Sequence, residues 1–165
     1  MTQVLVLFLA LLIGTVAGLR SMAAPAAVCW AAYLGWLNIQ GTWAWWVGSI
    51  VPVAILSVLA FAEVVLDKFP GAPTRLTPVV FAVRLILGGL AGAVIGTAWG
   101  YRIGGLGAGL MGAVLGTVGG YRARRQLVVQ NGGHELPVAL LEDSLAVLGG
   151  FATVALAGAM VPDAL

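Results

Sequence analysis

Charge is scarce in this chain. Lysine, arginine, aspartate and glutamate together make up 8% of its 165 residues, histidine and cysteine occur once each, and no lysine or arginine precedes the first long apolar run. Each scarcity excludes something. With 61% hydrophobic residues and a mean hydropathy of +1.07, a water-soluble fold would lack the polar side chains to cover its surface. A single cysteine, Cys29, rules out an intrachain disulfide and a CxxC metal or redox site, and leaves that residue as a small apolar packing group. The lone His134 has no cysteine partners, and neither a Ser/His/Asp set nor an HExxH pattern is present. No catalytic residue, metal or cofactor is therefore expected, and the chain does not read as an enzyme. Eight basic residues scattered through an apolar sequence form no basic face, which argues against nucleic acid as a partner. The uncharged lead-in argues against a secretory signal, although Ser21-Met22-Ala23 resembles a cleavage site.

What the chain has is apolar runs. A membrane helix needs roughly 20 mostly apolar residues, so residues 1–165 read as one transmembrane domain of about six helices. The fold class is an all-α polytopic bundle. Helix 1 is expected at Gln3 to Leu19 and helix 2 at Ala23 to Leu37, with Pro25 in its first turn; helix 2 is short for a full crossing and would be tilted or re-entrant. Helix 3 is expected at Trp43 to Lys68, with Pro52 as a kink, closed by the turn-forming Phe69 to Pro73. Helix 4 follows at Leu76 to Trp99, helix 5 at Gly105 to Tyr121, a polar loop at Arg122 to Glu135, and helix 6 at Leu136 to Met160, stopped by Pro162.

If all six segments cross, the loops after helices 1, 3 and 5 share one side and carry Arg20, Lys68, Arg75, Arg122, Arg124 and Arg125, whereas the other side has Arg102. Cytoplasmic loops hold the excess of lysine and arginine. The Arg122 to Glu135 loop is thus expected in the cytoplasm, with both termini outside a plasma (inner) membrane. Trp36, Trp43, Trp45, Trp46 and Trp99 fall near the expected outer interface, where amphipathic rings sit at headgroup level.

A short pattern recurs at Ile13 to Arg20, Ile95 to Arg102 and Leu115 to Arg122, each copy closing an expected helix. Copies one and two would face opposite sides, as in a 3+3 inverted repeat of a small transporter; copies one and three would be parallel. Packing of helix ends by glycine and threonine, with arginine marking the interface, is the preferred reading of the pattern. Gly88, Gly92, Gly96 and Gly100 lie four apart, as do Gly112, Gly116 and Gly120, so each set forms a stripe. Small-residue stripes of this glycine-zipper kind let two backbones approach. Helices 4 and 5 are expected to meet along them, with dimerisation through one stripe, and so a homo-oligomer, as the alternative.

The chemistry on offer is ionic. By helical rise, Glu63 lies about 7 Å inside its helix end, Arg84 about 12 Å and Glu142 and Asp143 about 9 Å. An unpaired charge at mid-bilayer costs about 2.5 kcal/mol or more, so Arg84 is expected to contact at least one of Glu63, Glu142 and Asp143. Asp67, Lys68, Arg20 and Arg122, with Arg75, would form the charged mouth. Two readings fit these residues: a binding site that passes a proton, cation or small solute, and a structural polar lock.

At Gly18-Leu19-Arg20 followed by Pro25, and at Glu63 to Pro70 with Asp67 and Lys68, the chain resembles the bacterial membrane family catalogued as domain of unknown function 4126. The resemblance implies a multi-span membrane protein and supplies no substrate. Transport through the ionic cluster and a scaffold or lipid-interacting role, with membrane lipids as partners, are the two functions to be weighed.

Overall fold

The computed structural model describes residues 2–67 and 77–160. Lys68, the expected turn at 69–73, Arg75, the expected helix start at Leu76 and the stop at Pro162 lie outside the described residues. The described chain is all-helical: α1 (Gln3–Leu19), α2 (Ala23–Tyr33), a 3₁₀ turn (Trp45–Gly48), α3 (Ile50–Leu66), α4 (Pro78–Thr97), α5 (Arg102–Gln130) and α6 (Glu135–Ala159). Three of these, α4, α5 and α6, are long and apolar enough to cross a membrane, and α1, α2 and α3 are shorter apolar helices.

Helix α1 has the expected bounds, whereas α2 stops at Tyr33, four residues early. The stop has a local cause. Gly35 adopts φ +77, and the N–H groups of Gly35 and Trp36 donate back to the carbonyls of Ala32 and Ala31 at 3.2 and 2.8 Å. This is the glycine-dependent reversal that satisfies a helix's last carbonyls. The chain then turns inward and buries Leu37 and Ile39. Gly100, at φ +79, ends α4 in the same way, with Tyr101 N–H donating to Gly96 O at 2.7 Å.

The expected single helix 3 is interrupted. Ser49 is extended (ψ 159) between the 3₁₀ turn and α3, so Pro52 falls in the first turn of α3 rather than kinking a longer helix. A first-turn proline gives up an N–H that has no intrahelical acceptor.

The polar stretch expected as a loop after Tyr121 is helical to Gln130, and the loop shrinks to Asn131 to His134. Ala123, Arg124, Arg125, Gln126 and Leu127 are strong helix formers, and that propensity outweighs polarity until Gly132. One consequence concerns the short repeat: its third copy, Leu115 to Arg122, lies within α5 and closes no helix.

Helix α1 occupies the centre, packed against α2, α4, α5 and α6. Glycines set its distance from α5 and that of α5 from α4. A methyl group at Gly92 would fall on the carbonyl oxygen of Gly105, one at Gly109 on that of Gly88, and one at Gly14 on that of Gly109. The second stripe points elsewhere than expected. Gly112 and Gly116 face the carbonyls of Leu11 and Thr15 on α1, not α4, while Gly88, Gly92 and Gly96 meet α5 near Gly105, Gly109 and Tyr101. Gly120, on the same stripe as Gly116, is half-buried. Helix α3 stands at the periphery, packed on α2 and the 3₁₀ turn, with Val53 as its one buried side chain.

Candidate functional site

The charged side chains gather at one end of the bundle, where α1 and α3 end, α4 and α6 begin, and α5 runs on towards Gln130. Indole groups gather at the other: Trp43 Nε1 donates to Thr97 Oγ1 at 2.9 Å near the end of α4, and Trp36 packs on Gly158 near the end of α6.

Arg20 is the hub of the charged end. It caps α1 in extended conformation, and this departure from the helix turns its side chain into the bundle, where the residue is 1% exposed. One terminal nitrogen lies 2.5 Å from Asp67 at the end of α3, and the other contacts Asp143 on α6. The first nitrogen also reaches the backbone carbonyl of Glu63 at 3.4 Å. Arg20 was expected at the mouth of the cluster; it lies inside and joins α1, α3 and α6.

Arg84 and Glu63 act on the break between α1 and α2. Arg84, 2% exposed, donates to the carbonyls of Gly18 and Leu19, the latter at 2.9 Å. The Glu63 carboxylate accepts the N–H groups of Ser21 and Met22 at 2.8 and 2.9 Å. A cation therefore sits at the negative end of α1 and an anion at the positive end of α2, the favourable sense for both helix dipoles. The two side chains are themselves 4.0 Å apart. At that separation the ion pair is secondary to the hydrogen bonds each makes to backbone.

Glu142 and Asp143 are buried, at 6% and 8% exposure, on the inner face of α6. Glu142 lies 3.6 Å from Arg124, which also reaches Glu135 at 3.4 Å. Arg122, expected in the cluster, is exposed and makes no ion pair with a described residue. Arg124 holds the α5 position next to the acids, because an α5 that continues as a helix turns residue 122 outward. The signal was in the sequence: extending the helical wheel past Tyr121 separates 122 from 124 by about 200°.

Two cavities flank α3. One, of about 330 Å³, is apolar and lies between α2, α3 and α4, bordered by Cys29, Trp43 and Trp46. The other, of about 260 Å³, lies between α3 and α6 over α2, and has Arg20 and Glu63 at one end. Among the described residues, no group of three or more His, Cys, Asp or Glu is placed to hold a metal ion.

No protein-family model, curated protein or solved structure matches this chain. The resemblance to the family of unknown function thus rests on the short motifs at Gly18 to Pro25 and Glu63 to Pro70 alone.

Proposed function

We propose that this chain is a multi-span protein of the plasma membrane that interacts with lipid, and that its ionic cluster is a structural lock. One observation carries the reading: both buried arginines are committed to other parts of the bundle. Arg84 is hydrogen-bonded to the last carbonyls of α1 and Arg20 to carboxylates from α3 and α6. Removing one partner of a buried pair costs about 3 to 5 kcal/mol, which suits a lock. Sidedness follows from charge. The lysine and arginine excess places the charged end in the cytoplasm and the tryptophan-rich end at the outer interface.

A second reading, passage of a proton, cation or small solute, is favoured by the cavity that reaches Arg20 and Glu63. Purified protein in liposomes separates the two. The lock reading expects no flux of protons or monovalent cations above protein-free vesicles, and an unfolding midpoint that falls sharply in Arg20→Ala. Flux that Asp143→Asn abolishes without loss of thermal stability would establish the transport reading instead.

A further inference from the structure

Arg122 and Arg125 are charges that the lock does not use. Every carboxylate side chain among the described residues is engaged elsewhere: Glu63 by Ser21, Met22 and Arg84, Asp67 and Asp143 by Arg20, and Glu135 and Glu142 by Arg124. Both arginines are exposed, and neither makes an ion pair or side-chain hydrogen bond with a described residue.

Their place along α5 matches a bilayer. The helix is one of the three long and apolar enough to cross a membrane. Arg102 opens it, and Arg122 follows about 30 Å further on at the helical rise, the thickness of a hydrocarbon core. Around the helix axis Met111, Leu115 and Val118 share a face with Arg122 and Arg125, all within about 80° of one another. Met111 and Leu115 are 59% and 58% exposed, and Val118 is half-buried. Arg124 points the other way, to Glu142. The outer face of α5 is thus an uncovered apolar strip that ends in two cations.

Charge decides what covers it. Arg122 and Arg125 lie one turn apart, so their guanidinium groups can converge on one phosphate, which arginine grips with paired N–H donors. An acyl chain attached to that phosphate runs back along Val118, Leu115 and Met111, where a soluble anion has nothing to contact. A zwitterionic head carries its own ammonium and offers no net counter-charge; an anionic head offers one. A second copy docking by the same strip across a two-fold axis would bring like charges together.

We propose that Arg122 and Arg125 hold the phosphate of an anionic phospholipid whose acyl chain lies along Met111, Leu115 and Val118 of α5. The proposal rests on the lipid-interacting reading and gives it a site and a lipid class.

An indole added to the strip reports on it. The full chain carrying Val118→Trp is reconstituted in vesicles containing phosphatidylglycerol or phosphatidylcholine brominated on the acyl chains, and the signal of the added indole is the difference from wild type. Phosphatidylglycerol is expected to quench at a mole fraction at least about fivefold lower, the effect of one basic group near an anionic surface. Arg122→Gln combined with Arg125→Gln should bring the two lipids level. Should Val118→Trp fail to fold, Leu115→Trp places the indole on the same strip.

Equal quenching by the two lipids in the otherwise unaltered chain, or a preference that survives the double arginine substitution, overturns the site. A preference erased by inorganic phosphate but not by sodium chloride of equal ionic strength makes this a small-anion site and overturns the lipid class. Quenching by neither lipid means that lipid does not meet the strip, which overturns the proposal and the lipid-interacting reading together. Equal quenching by both overturns the proposal alone, so the two failures are distinguishable.

Discussion

Glu63 and Arg84 stand 4.0 Å apart on opposite sides of one chain break, and each hydrogen-bonds to a different helix end across it. The pair is joined less by its own attraction than by the backbone groups between them. A break between two apolar helices leaves carbonyls and N–H groups without intrahelical partners. Glu63 and Arg84 satisfy four of them at residues 18, 19, 21 and 22.

Substitutions at this pair should therefore be graded by the backbone bonds they remove. Arg84→Ala is expected to destabilise by about 3 to 5 kcal/mol, and Glu63→Gln, which keeps one acceptor oxygen, by about 1 to 3 kcal/mol. In a double-mutant cycle the coupling should be small beside either single effect, since each side chain keeps its own backbone partners. Chemical denaturation in detergent measures all three. A coupling as large as the Arg84→Ala loss would return the ion pair to first place.

Glycines of α5 should divide by the helix face they occupy. At Gly109 a methyl group would strike the Gly88 carbonyl, so Gly109→Ala should lower stability by about 1 to 3 kcal/mol through overpacking. At Gly107 nothing lies within 4 Å, and Gly107→Ala should raise stability by about 0.5 to 1 kcal/mol through helix propensity. The two substitutions are chemically identical and two residues apart. Unfolding midpoints that move together would argue against the close packing of α4 and α5.

Arg122 and Arg124 make a similar pair of opposites. Arg124→Ala removes a neighbour of buried Glu142, and a loss of about 1 kcal/mol is expected once the partial exposure of Arg124 is allowed for. Arg122→Ala should fall within about 0.5 kcal/mol of wild type, as exposed substitutions do. A thermal-shift comparison of the two variants checks the order.

Sidedness can be tested by accessibility. With Cys29 replaced by alanine, a cysteine introduced by Asn131→Cys should resist an impermeant thiol reagent in intact cells and react after lysis. Labelling in intact cells would reverse the orientation proposed from the charges.

How far these features were legible depends on which coordinate they involve. Position along the chain was legible where composition changes abruptly: Gln3 to Leu19 is bounded by polar Thr2 and Arg20, and the expected and observed helices coincide. Polarity misled after Tyr121, because a helical turn rich in arginine has the composition of a loop. Axial depth brought Glu63, Arg84, Glu142 and Asp143 to one level, but depth carries no information about direction around each helix. It therefore could not show that Arg84 turns to the end of α1, or that Arg20 turns inward to Asp67 and Asp143. The glycine stripes show the same limit. Their fourfold spacing identified a close-packing face on α5, while the partner of Gly112 and Gly116 depended on where α1 lies.

The peripheral place of α3 has a consequence for how the protein comes apart. Within α1, α4 and α5 the backbones shield one another, so opening any of their hydrogen bonds to solvent requires the three to separate together. Helix α3 buries one side chain and is held by its packing on α2, with Trp30 Nε1 donating to Ser57 Oγ at 3.0 Å, by Glu63 and Asp67 towards one end and by the 3₁₀ turn at the other. Such an element opens as a unit at a fraction of the global unfolding free energy. Amide protons of α3 should then exchange with deuterium as one early group, well ahead of those in α1, and the rate of that group should track the strength of the Arg20–Asp67 contact.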